Sequence, residues 1–166
     1  MRILILGATG MLGYSLFSNL SEHANLSVYG SVRNIAGKER FFNDTQQRLI
    51  SGVDAYDISS LQQAIKTVAP DVVVNCVGLI KQHGISKQHI DAVKINALLP
   101  HELANLCDQF NAKLIHFSTD CVFTGDLGLY NEDSLPDARD LYGKSKCLGE
   151  VSYGKHLTLR TSIIGH

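Results

Sequence analysis

No excess of charge of either sign marks this chain. Fifteen basic residues stand against sixteen acidic ones, and no basic stripe appears, which excludes the electrostatic footprint of a nucleic-acid binder. Long hydrophobic runs are missing too. No apolar stretch approaches the length of a membrane span, and Met1 leads directly into a short apolar segment, so neither a membrane helix nor a signal peptide is expected. Cys76, Cys107, Cys121 and Cys147 show no C-x-x-C spacing. They read as reduced thiols of a cytoplasmic protein and exclude a disulfide frame. The histidines are scattered, and the nearest pair, His83 and His89, lacks the spacing of a helical metal site. No metal centre is expected. Internal repeats and low-complexity tracts are absent.

What is present is material for one domain. Of 166 residues, 45% are hydrophobic, enough for a real core and outside the disordered range. Residues 2–6, Arg-Ile-Leu-Ile-Leu, make a short apolar strand. Gly7-Ala-Thr-Gly10-Met-Leu-Gly13 follows at once. Leu12, Leu16, Phe17 and Leu20 then recur with a helical period. Strand, glycine turn and helix form the context of a dinucleotide-binding turn. Gly7 permits the sharp exit from the strand, Gly10 the approach of a pyrophosphate, and Gly13 close helix packing. The phosphates would rest on free N–H groups at the helix N-terminus.

The second strand is predicted over Leu26 to Val32. No carboxylate stands at its end to bind a ribose 2′-hydroxyl; the segment runs Tyr29-Gly-Ser-Val-Arg33-Asn34. Arg33 suits a 2′-phosphate, which points to NADP, although an arginine exposed at a strand end would read the same way.

Alternation of strands and helices continues. Asn34 to Gln47 reads as a loop and Arg48 to Val53 as a short strand. Asp57 caps a helix that ends at Val68 before Pro70, and Asp71 to Val77 is a buried strand. A loop from Gly78 to Ile85 precedes a long helix, Ser86 to Phe110, bent or interrupted at Pro100. Lys113 to Ser118 is the fifth strand, Thr119 to Asp140 one long loop, and Leu157 to Thr161 the last strand. This order predicts an α/β fold with a doubly wound parallel sheet. Ligands of such sheets lie beyond the carboxyl ends of the strands. The glycine turn, Asn75-Cys-Val-Gly78, Ser118-Thr119 and the Asp57-Ile58 turn all fall at those ends.

Tyr142-Gly-Lys-Ser-Lys146 sets a phenol and an ammonium four residues apart, on one helix face. A phenol titrates at about 10 when unperturbed. A fixed positive charge from Lys146 is expected to lower that value, and a tuned tyrosine can pass a proton to a carbonyl oxygen as a hydride arrives at the carbon. A hydroxyl at the end of the fifth strand, Ser118 or Thr119, would hold that carbonyl; alternation lets only one of them face the site. Asn96 either supports Lys146 through a water or is an interhelical hydrogen-bonding asparagine.

The Gly7–Gly13 turn, Asn75-Cys-Val-Gly78, Ser118-Thr-Asp-Cys-Val-Phe-Thr-Gly125 and Tyr142 to Lys146 resemble the extended short-chain dehydrogenase/reductases. With Tyr130-Asn-Glu-Asp133, they are most similar to dTDP-4-dehydrorhamnose reductases and related nucleotide-sugar reductases. The resemblance implies a Rossmann-type NAD(P)-binding domain over 1–166, the N-terminal part of a longer protein. It implies a catalytic set at Thr119, Tyr142 and Lys146. It also implies cofactor contacts at Gly7, Thr9, Gly10, Met11, Leu12, Gly13, Arg33, Asp57, Ile58, Cys76, Val77, Gly78, Asn96 and Lys146. Cys121 stands where rhamnose reductases usually carry tyrosine and dehydratases a glutamate, which argues against dehydration.

The expected activity is therefore reduction of a keto nucleotide sugar with NADP(H), in polysaccharide or sugar biosynthesis. An epimerase using NAD(H) is the enzyme alternative, disfavoured by Arg33. A non-catalytic NADP-binding regulatory protein is the other, disfavoured by the intact Thr119, Tyr142 and Lys146. The expected partner is the nucleotide-sugar substrate, and a homodimer is compatible with the sequence.

Overall fold

Alternate residues of the first strand are buried in different places. In the computed structural model, which describes residues 1–80 and 89–162, Arg2–Leu6 forms β1. Leu4 and Leu6 join Leu61, Ile65, Leu99, Leu103 and Leu114 on one side of the sheet. Ile3 and Ile5 join Phe17, Val28, Val32 and Phe42 on the other. Side chains alternate along a strand, so a strand apolar throughout must be covered on both faces.

The covering elements follow in order. They are α1 (Met11–Ser21), β2 (Ser27–Val32), β3 (Leu49–Ser51), α2 (Ile58–Val68), β4 (Val72–Asn75) and α3 (His89–Asp91). A π-helical stretch (Ala92–Leu98) leads into α4 (Leu99–Gln109), followed by β5 (Lys113–Ser118), α5 (Leu141–Leu148) and β6 (Leu157–Arg160). The strands pair in parallel in the order β3-β2-β1-β4-β5-β6. The order reverses between β1 and β4, and that reversal opens a crevice at the carboxyl end of the sheet.

Local chemistry sets several boundaries. Asp57 caps α2, its carboxylate accepting from the Ser59 N–H at 3.0 Å. That helix ends on Ala69, which adopts a left-handed conformation (φ 45°) just before Pro70. β4 stops at Asn75, earlier than predicted, because the Asn75 side chain takes over the Val77 N–H at 3.0 Å. The 34–47 loop holds two short 3-10 turns, Glu39–Phe41 and Gln46–Arg48, with Phe42 buried between them against Phe17. Thr119 to Asp140 carries one such turn, Asp120–Val122.

The long helix departs from expectation at its break. Pro100 is the second residue of α4, and the interruption lies just before it, in the π stretch. Pro100 lacks an N–H for the Asn96 carbonyl four residues back, and its ring would collide with that carbonyl in an α-turn. The winding loosens over just those residues, a device frequent near functional sites. Ser86 and His83, like most of the predicted Gly78–Ile85 loop, lie outside the described residues.

Candidate active site

Two glycines of the turn, Gly7 and Gly13, sit where a side chain does not fit. Gly7 sits at φ +80°, a region open to glycine and strained for other residues. A Cβ on Gly13 would lie 2.2 Å from the Gly7 carbonyl oxygen. β2 braces the turn: Ser31 Oγ accepts from the Gly7 N–H at 3.3 Å, and the Ser31 carbonyl from the Ala8 N–H at 3.0 Å. Gly10 opens α1 without a side-chain cap. The first-turn N–H groups of α1 therefore lack side-chain acceptors and are suited to an anion. Met11 and Leu12 begin that helix; Met11 is exposed beside Thr9 and Gly10.

Gly7, Thr9, Arg33, Val77 and Gly78 line the crevice, as the sequence suggested. Asp57 and Ile58 do not. The wall there is Asp54, Ala55 and Tyr56, because the Asp57 N–H closes a turn onto the Asp54 carbonyl at 3.0 Å and the chain leaves the rim as α2 begins. Cys76 turns its half-buried thiol into the packing on the α1 side, and burial pushes that thiol up to about 12.

Lys38 was not anticipated. Its Nζ donates to the Thr9 carbonyl at 3.3 Å, beside a hollow formed by Gly10, Met11, Tyr14, Phe41 and Phe42. Two cations, Arg33 and Lys38, thus flank the glycine turn. Lys38 comes from an aperiodic loop, and its placement depends on Phe42 burying nearby, so the local sequence carried no signal of it.

At the other end of the crevice β5 runs out into Thr119. Its Oγ1 accepts from the Cys121 N–H at 3.2 Å and donates to Asp120 Oδ1 at 3.1 Å, and it stands close enough to the Tyr142 phenol to lower its pKa. The buried Ser118 hydroxyl has no partner among the described residues. Of the two hydroxyls, Thr119 meets the phenol. Tyr142 lies in the first turn of α5, which Asp140 caps through the Gly143 N–H at 2.8 Å. A Cβ on Gly143 would fall 2.2 Å from the Cys121 carbonyl oxygen. This contact presses Tyr142 against the Thr119 turn. Asp120 is held below the usual carboxylate range by its hydrogen bond from Ser162, with Thr119 and Cys121 adding to it.

The expected acidification of Tyr142 by Lys146 is not found. Burial pushes the phenol above its ordinary value; the neighbouring Thr119 hydroxyl works against this, while Cys121, Asp120 and Asp140 add to it. Lys146 Nζ is engaged elsewhere, donating to the Phe117 carbonyl at 2.6 Å and standing 3.5 Å from His116 Nε2. Burial brings its pKa down to about 8, with Glu150 pulling it back up. Tyr142 is therefore a protonated phenol at neutral pH, the form that donates.

Asn96 resolves as a structural clamp. Its Oδ1 accepts from the Leu79 N–H at 2.8 Å, and its Nδ2 donates to the Leu79 carbonyl and to Ser145 Oγ, both at 3.2 Å. This ties the loop after β4 to α5. A Cβ on Gly78 would lie 3.6 Å from Asn96 Oδ1 and 3.8 Å from Lys146 Nζ. The glycine turn, Gly78, Lys146, Tyr142 and Thr119 thus follow one another along the same rim.

Comparison with known proteins places this geometry. A family model described as the RmlD substrate binding domain matches residues 1–164. The probable low-salt glycan biosynthesis reductase Agl14 of Haloferax volcanii is 30% identical over 151 residues, which cover 90% of this chain and 48% of that protein. The methionine adenosyltransferase 2 subunit beta of Xenopus tropicalis is 32% identical over 149 residues, 90% of this chain and 41% of that protein. The crystal structure of a dTDP-4-dehydrorhamnose reductase from Bacillus anthracis in complex with NADP superposes with a TM-score of 0.76 at 27% identity, over 96% of this chain and 52% of that one. The chain spans about half the length of the relatives it matches. Among the described residues, no helix is long and apolar enough to cross a membrane.

Proposed function

Because the chain belongs to the RmlD substrate binding domain family, we propose that it is the cofactor-binding part of an NADPH-dependent reductase acting on a keto nucleotide sugar. The observation that carries this reading is the Thr119–Tyr142 pair beside Lys146, on the rim that also bears the glycine turn. The residues suit a nicotinamide dinucleotide. An uncapped helix start receives the pyrophosphate, Gly10 leaves room for the backbone to approach it, and Arg33 with Lys38 supplies positive charge for a 2′-phosphate. When bound, the dinucleotide supplies the hydride for the ketone carbon. Thr119 orients the ketone oxygen, Tyr142 protonates it, and the Lys146 ammonium binds the ribose hydroxyls.

The similarity to the methionine adenosyltransferase subunit favours a second reading, a regulatory protein that binds NADP without turnover. Such a protein would bind the cofactor and transfer no hydride to any keto sugar. The intact Thr119, Tyr142 and Lys146 weigh for the reductase, and the absence of a carboxylate at the end of β2 weighs against an NAD-dependent epimerase.

Titration with both cofactors tests the cofactor assignment. NADPH binds more tightly than NADH, and Arg33→Ala weakens NADPH binding by about tenfold while leaving NADH unchanged, since a charge-assisted contact of this kind contributes on the order of 1.5 kcal/mol. Equal affinity for the two cofactors in the unmodified protein would remove the argument from Arg33.

A further inference from the structure

Beneath Lys146 lies a fully buried histidine that the proposed chemistry does not use. His116 projects from β5 with no exposed surface, between the Asn75 amide and the lysine ammonium. The hydrogen bonds around it leave one arrangement of protons. The Val77 N–H donates to Asn75 Oδ1 at 3.0 Å, which fixes the orientation of that amide. Asn75 Nδ2, which has only hydrogens to offer, therefore faces His116 Nδ1 at 3.1 Å. Nδ1 must accept, so a neutral ring carries its proton on Nε2. The ring is neutral: burial, with the Lys146 charge and more distant His101 adding to it, takes its pKa down to about 3. Nε2 stands 3.5 Å from Lys146 Nζ.

We propose that His116 is a positioning residue for the reductase lysine: locked by Asn75 with its proton on Nε2, it presents a donor N–H to Nζ and so disfavours the ammonium form. An ammonium offers no lone pair to that N–H, whereas a neutral amine accepts it. Lys146 thereby holds a proton it releases readily. The other groups around Lys146 are Glu150, past the end of α5, which favours the charged form, the Phe117 carbonyl, which accepts from it, and Tyr142 one turn earlier. His116 is the group among them that opposes the charge by its hydrogen-bonding pattern. The inference rests on the reading of Lys146 given above.

The test replaces the donor with a group of similar reach. In His116→Gln an amide oxygen turns to Nζ in place of the ring N–H. The 13Cε titration of Lys146, followed in labelled protein, then moves up by about one pH unit, and the alkaline limb of turnover in the intact protein moves with it. In the unmodified protein, 15N spectra of the His116 ring show the proton on Nε2. Were Nε2 an acceptor instead, the substitution would exchange one acceptor for another and leave the lysine where it was. A purely structural role would change thermal stability but not this titration. An unmoved or lowered Lys146 titration, or a ring protonated on Nδ1, overturns the proposal. Failure of the reductase reading looks different: Lys146→Met would leave NADPH binding and turnover intact, whatever His116→Gln does to the titration.

Discussion

Tyr142→Phe in the intact protein lowers turnover of the keto sugar by about 10²- to 10⁴-fold, the usual span for removal of a general acid, while NADPH affinity stays within about twofold of the original. The ring remains, so the half-buried packing of Tyr142 is preserved, and only the hydroxyl beside Thr119 is lost. The phenol sits above its ordinary pKa through burial and the neighbouring acids, which keeps it protonated at neutral pH and able to deliver a proton to a ketone oxygen. Steady-state rates with NADPH in excess, together with a direct binding titration, separate the two effects. Turnover that survives the change would assign the proton to another group.

Gly13→Ala produces the second large effect. The added methyl group would stand 2.2 Å from the Gly7 carbonyl oxygen and 2.8 Å from the Gly7 carbonyl carbon. Both are backbone atoms at a turn that β2 braces through Ser31, so no side chain can swing away to relieve the overlap. α1 must shift off the sheet, with a stability cost of about 1–3 kcal/mol or more, as overpacking produces. The free N–H groups at its start shift with it, and NADPH affinity falls by at least about tenfold. Thermal unfolding and cofactor titration of the same variant measure both consequences. An unchanged melting temperature with unchanged affinity would show that the turn does not bear the cofactor as described.

Where a single element carried its own signal, the sequence sufficed. The apolar run of β1, the spacing Gly7–Gly10–Gly13 and the period of Leu12, Leu16, Phe17 and Leu20 read directly as strand, turn and helix, because each depends on neighbours within a few residues. The doubly wound parallel sheet followed from the alternation of elements. What remained hidden depends on contacts between distant segments. Asp57 was taken for a crevice residue, yet its carboxylate is used to cap α2 and Asp54 takes the place on the rim. Asn96 looked equally suited to two roles until its partners, Leu79 and Ser145, were placed around it. The effect of Lys146 on Tyr142 was misjudged because spacing along a helix says nothing of the Phe117 carbonyl that draws the ammonium aside. Gly143 and Gly149 carried no local signal: their small size matters because a Cβ would lie 2.2 Å from the Cys121 carbonyl oxygen and 1.9 Å from that of Asn96. A glycine inside or just beyond a helix is the trace such packing leaves in a sequence.

The central claim is that this crevice brings a reduced nicotinamide and the Tyr142 phenol to the same carbonyl group. Incubating the intact protein with NADPH dideuterated at C4 of the nicotinamide and a 4-keto nucleotide sugar tests it directly, with NMR of the sugar product as the readout. Deuterium appearing at the new carbinol carbon, one atom for each NADPH oxidised, is the predicted result. Tight NADPH binding with no deuterium on the sugar would contradict it and leave the chain as a binder of the cofactor alone.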